Sequence, residues 1–163
     1  MASPLSLAAI TDEFSPTDLD AALRETKSLG MTGAELRMVW GRNVIDLDND
    51  EIDRARAAVE AAGMRVLAIA SPVLKCVLPD GPPLDPRFQQ DTFAAKYGFE
   101  DQPALTARAF ELATRAGARI VRVFSYWRTI DPPAVFDRVA SAWRGLAEAA
   151  RAHGLIIGLE YEH

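Results

Sequence analysis

The stretch from 154 to 163, GLIIGLEYEH, sets Glu160, Glu162 and His163 directly behind a short apolar run. Carboxylates and an imidazole so close together can move protons or hold a cation. Upstream, the pattern recurs. Thr11, Asp12 and Glu13 follow LSLAAI, and Glu35 and Arg37 end the run GAEL, with Trp40 just beyond. Ser71 and Lys75 follow RVLAIA, and Ser125, Tyr126, Trp127 and Arg128 follow RIVRVF. Carboxylate, hydroxyl, amine and indole groups at five successive run ends suit a small polar ligand.

The runs themselves must put those groups in one place. They are too short for helices and nearly unbroken in apolar residues, the pattern of strands buried on both faces in a parallel sheet. The segments between them have helical period. Leu19, Ala22, Leu23 and Thr26 share one face, as do Ile52, Ala55, Val59 and Ala62. Leu105, Ala109, Leu112, Ala113 and Ala116 make a third stripe, and Val135, Val139, Trp143, Leu146 and Ala150 a fourth. Gly30, Gly63, Gly117 and Gly154 follow these stripes, where a helix ends in a left-handed residue. Ser15 followed by Pro16 reads as the entry to the first helix, and Trp143 and Phe136 read as core. The order is β-α-β-α-β-α-β-α-β. Parallel neighbours joined by right-handed crossovers bring every strand's C-terminal end to one rim, where ligands bind. A Pro-rich stretch from about 71 to 103 reads as a lid or wall of that site.

Composition narrows the class. The chain has 163 residues, 49% of them hydrophobic, and reads as one domain over 1–163. A net charge of -5 disfavours nucleic acid as a partner. Cys76 is the single cysteine and reads as an ordinary thiol in a reducing compartment, and His153 as a helix-end residue. The start has no basic region, and Asp12 and Glu13 break its apolar run, so a cytoplasmic location without membrane contact is the expectation.

Two α/β architectures fit: a five-stranded doubly wound open sheet, or part of a (β/α)8 barrel, which needs about 250 residues. AITDEFSPTDLDAAL, GMTGAELRMVWGRNVIDLDNDEI, VLAIASPVLKC, IVRVFSYWR and IGLEYEH resemble the sugar phosphate isomerase/epimerase family, which has a xylose-isomerase-like TIM barrel. The resemblance runs in order along the chain and implies barrel strands 1 to 5 and helices 1 to 4, an incomplete barrel truncated after strand 5. It implies a metal-dependent isomerase or epimerase of a sugar, sugar phosphate, polyol or sugar acid, acting by proton transfer next to a carbonyl through an enediolate. Under it, Glu160 is metal ligand and acid/base. Glu35 contacts substrate hydroxyls or orients Arg37, Lys75 meets a phosphate or carboxylate, and Trp40 and Trp127 wall a sugar face. Ser71, Ser125, Glu162 and His163 complete the substrate-binding set. The implied cofactor is Mg²⁺ or Mn²⁺, with weak or absent binding by this chain, since the remaining ligands of the family pattern have no counterpart in it. Glu35 and Glu160 on one rim should raise each other's pKa. The rival readings are an inactive partial barrel that assembles through open sheet edges, and an apurinic endonuclease, which would need early histidines and a basic surface.

Overall fold

The computed structural model describes residues 6–88 and 96–161. In chain order the strands and helices are β1 (Ala8–Ile10), α1 (Leu19–Ser28), β2 (Gly33–Leu36), β3 (Met38–Val39), β4 (Arg42–Asn43) and α2 (Asn49–Ala61). They continue with β5 (Arg65–Ala70), α3 (Gln102–Ala116), β6 (Ile120–Val123), α4 (Phe136–Ala152) and β7 (Ile156–Leu159). Five strands form one parallel sheet in the order β1-β2-β5-β6-β7, and β3 and β4 make a separate antiparallel hairpin.

That order decides between the two architectures. A doubly wound sheet reverses its winding at a switch point. Here each new strand is added on the same side of the last, so right-handed crossovers keep all four helices on one face. The sheet is an arc of a barrel that is not closed. The open-sheet alternative is set aside on this ground.

Hydrophobic patterning explains the layers. Ala34, Leu36, Val66, Ile69, Val121 and Val123 of the sheet share one buried cluster with Leu23, Ile52, Val59, Leu105, Ala109 and Leu112 of the helices. The other face carries Gly33, Glu35, Ala68, Ala70, Arg122 and Gly158; Glu35 pairs with Ala68, and Arg122 pairs with Ala70 on one side and Gly158 on the other. The β2–β5 pairing skips Leu67 between the pairs Ala34–Val66 and Glu35–Ala68. A one-residue bulge of this kind re-aims the side chains beyond it, here near Glu35.

Helix boundaries follow local chemistry. Asp48 and Glu51 form a reciprocal capping box at the start of α2. Gly117 ends α3 at φ 71°, where a side chain would be strained. Two expectations are corrected. Helix α1 begins at Leu19 with Asp18 as its cap, accepting from the Ala21 amide at 2.9 Å, while the Ser15 hydroxyl accepts from the Asp18 amide instead. An acidic side chain next to the first turn displaces the more distant Ser-Pro entry. Phe136 is 68% exposed rather than core, because it lies one position, about 100°, off the stripe of Val135, Leu146 and Ala150. No helix among the described residues is long and apolar enough to cross a membrane.

Candidate functional site

The rim at the strand C-termini carries two connected groups of polar side chains. In the first, Asp12 follows β1 and Arg37 follows β2. Arg37 donates from Nε to Asp12 Oδ2 at 2.9 Å and from its terminal nitrogen to Glu13 Oε1 at 2.6 Å. The Met38 amide donates to Asp12 Oδ1 at 3.0 Å, and the Thr11 hydroxyl to the Glu35 carbonyl at 3.3 Å. These bonds lock the first two strand ends together. Arg37 is thus engaged by Asp12 and Glu13.

Glu35 belongs to the second group, which is centred on Arg122. The Glu35 carboxyl is half-buried, and burial is the main force raising its pKa above the usual carboxylate value. The Arg122 charge pulls it back down, and the Glu160 charge pushes it up. Glu160 follows β7, tied to β6 by its amide on the Val123 carbonyl at 2.9 Å. Its Oε2 lies 3.8 Å from Arg122 Nε. Arg122 also donates to the Ala70 carbonyl at 3.3 Å, and its guanidinium carbon is 4.5 Å from the Phe124 ring centroid. Three strands therefore bring one guanidinium and two carboxylates to the inner side of the arc.

Lys75 extends this group. Its residue is only 8% exposed, and its Nζ lies 4.6 Å from the Phe124 centroid and 5.7 Å from that of Trp127. The surrounding backbone is tightly held. The amides of Phe124, Tyr126 and Trp127 donate to the carbonyls of Val73, Leu74 and Cys76, each at 2.9 Å. Farther along, Leu84 and Thr129 form an isolated bridge, and Asp85 binds Arg87 in a paired contact with Oδ2 at 2.6 Å. Hydrogen bonds from Arg87 hold the Asp85 carboxyl down to about 2. The loop after β5 is thus stitched to the loop after β6. Leu74, Asp80 and Tyr126 sit at positive φ within these two loops. Each such residue costs about 1–3 kcal/mol, and such strain collects at binding sites.

The remaining sequence candidates fall elsewhere or play other parts. Ser71 is fully buried; its hydroxyl donates to the Arg122 carbonyl at 2.7 Å and accepts from the Val73 amide. Trp40 lies at the hairpin turn with φ 51°, packs on the hydrophobic core and receives the Arg54 guanidinium 3.9 Å above its ring. Ser125 is exposed on the rim beside half-buried Trp127. Glu162 and His163 lie outside the described residues. Cys76 is buried, which pushes its thiol up to about 11 and keeps it protonated. Sequence reasoning passed over Arg122 and Phe124. The available signal was a charge inside an otherwise apolar strand.

The donor set bears on metal binding. Among the described residues no group of three or more His, Cys, Asp or Glu side chains could hold a metal ion. Glu160 is paired with a guanidinium instead. These residues alone do not fit a divalent centre.

The model of the xylose isomerase-like TIM barrel family matches residues 23–163. The chain belongs to that family. Its barrel arc superposes on a sugar phosphate isomerase/epimerase from Parabacteroides distasonis, at 13% identity and TM-score 0.58, covering 97% of this chain and 51% of the other. It also superposes on an AP endonuclease, family 2, from Brucella melitensis, at 18% identity and TM-score 0.61, covering 96% and 55%. A xylose isomerase-like TIM barrel protein from Mycobacterium smegmatis, solved in complex with magnesium, matches at 18% identity and TM-score 0.55, covering 88% and 46%. The chain spans about half the length of these structures. At such identities the likeness establishes the fold. None of the curated proteins matches the sequence.

Proposed function

We propose that this xylose isomerase-like chain forms part of an isomerase or epimerase that moves a proton next to the carbonyl of a sugar, sugar phosphate or sugar acid. The observation that carries the reading is the meeting of Glu35, Arg122 and Glu160 on the inner side of the arc. Proton abstraction beside a carbonyl needs a base at that carbon and positive charge for the enediolate oxygen. The Glu160 side chain, 39% exposed, is open enough to reach substrate. Arg122 supplies a fixed positive charge beside it. Glu35, with its raised pKa, keeps the proton-bearing form that can donate to a substrate oxygen up to a higher pH than an ordinary carboxyl does. Trp127 supplies an apolar wall at the rim. We propose metal dependence with Mg²⁺ or Mn²⁺ as a finer part of the reading. Glu160 is its ligand among the described residues, and further ligands would have to come from outside them. A net charge of -5 favours this reading over a nucleic-acid substrate.

The test is exchange of the proton next to the carbonyl into deuterated water, followed by NMR across a panel of aldoses, ketoses and sugar acids. Glu160→Gln should cost at least about 100-fold in exchange rate with the fold intact. Wild-type exchange in that variant would remove Glu160 from the role of base. A second reading, self-association, is favoured by the exposure of Ile156 (54%) and Leu159 (51%) on the edge strand β7. Sedimentation over a dilution series separates monomer from assembly.

A further inference from the structure

We infer that Ser71 is a positioning residue for the proposed proton transfer, its buried hydroxyl fixing the stretch of backbone that carries the Arg122 guanidinium beside Glu160. The inference rests on the function proposed above and deepens it. Its place after a strand suggests substrate contact for Ser71, yet the residue is 0% exposed, so its hydroxyl serves the protein. It donates to the Arg122 carbonyl on β6 at 2.7 Å and accepts from the Val73 amide at 3.3 Å. The paired register of β5 and β6 ends at Ala70 and Arg122. Contact resumes where the Phe124 amide donates to the Val73 carbonyl at 2.9 Å. The Ser71 hydroxyl bridges the interval, with Arg122 on one side and Val73 on the other. Residue 71 precedes Pro72, which holds extended the backbone from which that hydroxyl springs.

Two successive residues thus hold Arg122 at both ends. Ser71 takes its main-chain carbonyl, and the Ala70 carbonyl accepts from its guanidinium at 3.3 Å. The distance from Arg122 Nε to Glu160 Oε2 is 3.8 Å. Attraction between charges varies inversely with distance, so a small shift at the root of a long side chain changes what its head does. An Ala at 71 would leave the buried Val73 amide without its hydroxyl acceptor. A buried donor left unmade costs free energy, which the loop would recover by moving, and Arg122 would move with it. Arg122 acts in turn on Glu35. Burial is the main force raising the Glu35 pKa, the Arg122 charge lowers it, and the Glu160 charge raises it.

An NMR pH titration of the Glu35 carboxyl in the full chain reads the Arg122 charge without substrate. Ser71→Ala should move Glu35 further up, in the direction expected for Arg122→Met. Ser71→Thr keeps the hydroxyl and should hold Glu35 at its wild-type position. In the Arg122→Met background, Ser71→Ala should shift Glu35 no further, since the charge through which the hydroxyl acts is gone. On a sugar that the wild type exchanges, Ser71→Ala should slow proton exchange about tenfold with KM little changed. A lower urea midpoint with Glu35 unmoved in folded Ser71→Ala would mean packing alone and overturn the inference. So would an equal shift of Glu35 with Arg122 already replaced. The wild-type protein offers a further check that needs no variant to fold. Deuteration of the Ser71 hydroxyl should shift the Arg122 carbonyl carbon signal, and the absence of that isotope shift would also overturn the inference. Glu35 displaced as expected beside a wild type that exchanges no proton would sink the proposed reaction and leave the hold of Ser71 on Arg122 standing.

Discussion

At the residue scale, Glu35 is the informative group. Burial raises its pKa, so the folded protein holds this proton more tightly than the unfolded chain does. A carboxyl of that kind contributes stability that falls as pH rises from the ordinary carboxylate value through the raised one. Glu35→Gln should therefore be at least as stable as wild type at neutral pH, with its advantage vanishing in acid. Urea midpoints at the two pH values check this. Arg122→Met removes the charge that lowers Glu35, so an NMR titration should find Glu35 shifted further up. Glu160→Gln should move it the other way. The sequence showed both carboxylates as strand-end residues. It did not show Arg122 between them, because the run RIVRVF reads as a buried strand with an incidental charge. Only the register, which sets Arg122 opposite Ala70 and Gly158, turns that charge inward.

At the element scale, GAEL and RVLAIA were legible to the residue as β2 and β5, since unbroken apolar runs bounded by Gly and polar residues have few other folds. The hairpin of β3 and β4 was not. Its strands have two residues each, too few for any period. Its turn uses Trp40 and Gly41 at positive φ, a pattern normally announced by Asn-Gly or Asp-Gly. Gly33 carries a further constraint. A Cβ there would sit 2.8 Å from the Ala8 Cβ on the neighbouring strand. Gly33→Ala should cost about 1–3 kcal/mol through overpacking between β1 and β2, read as a lower urea midpoint. Asp48→Ala removes half of the α2 capping box and should cost about 1 kcal/mol.

At the scale of the whole molecule, the repeat of helix, glycine and strand made a parallel α/β layout readable but left an open sheet and a barrel arc both standing; the family resemblance pointed to the barrel, and the sequential strand order of the structure decided for it. The loops that shape the site were harder. Stitching between the β5 and β6 loops depends on backbone carbonyls and amides, which no side-chain pattern encodes. The same holds for metal binding, because a donor set is a matter of convergence, not of residue count. For the 163-residue chain, millimolar Mn²⁺ should leave the thermal unfolding midpoint unchanged, since a ligand stabilises only what it binds in the folded state. A saturable upward shift would reveal donors beyond those described here.

The protonated, enclosed state of Cys76 gives the stitched loops a clock. Thiolate, not thiol, attacks an alkylating reagent, and this sulfur is both shielded and held up to about 11. Labelling at mildly alkaline pH then waits for the segment to lift away from the Trp127 amide that binds the Cys76 carbonyl. Its rate counts openings of the rim. Gln102, whose side-chain oxygen accepts from the Leu74 amide at 2.7 Å, is the peg to remove: Gln102→Ala should quicken alkylation well before it changes the global melting point.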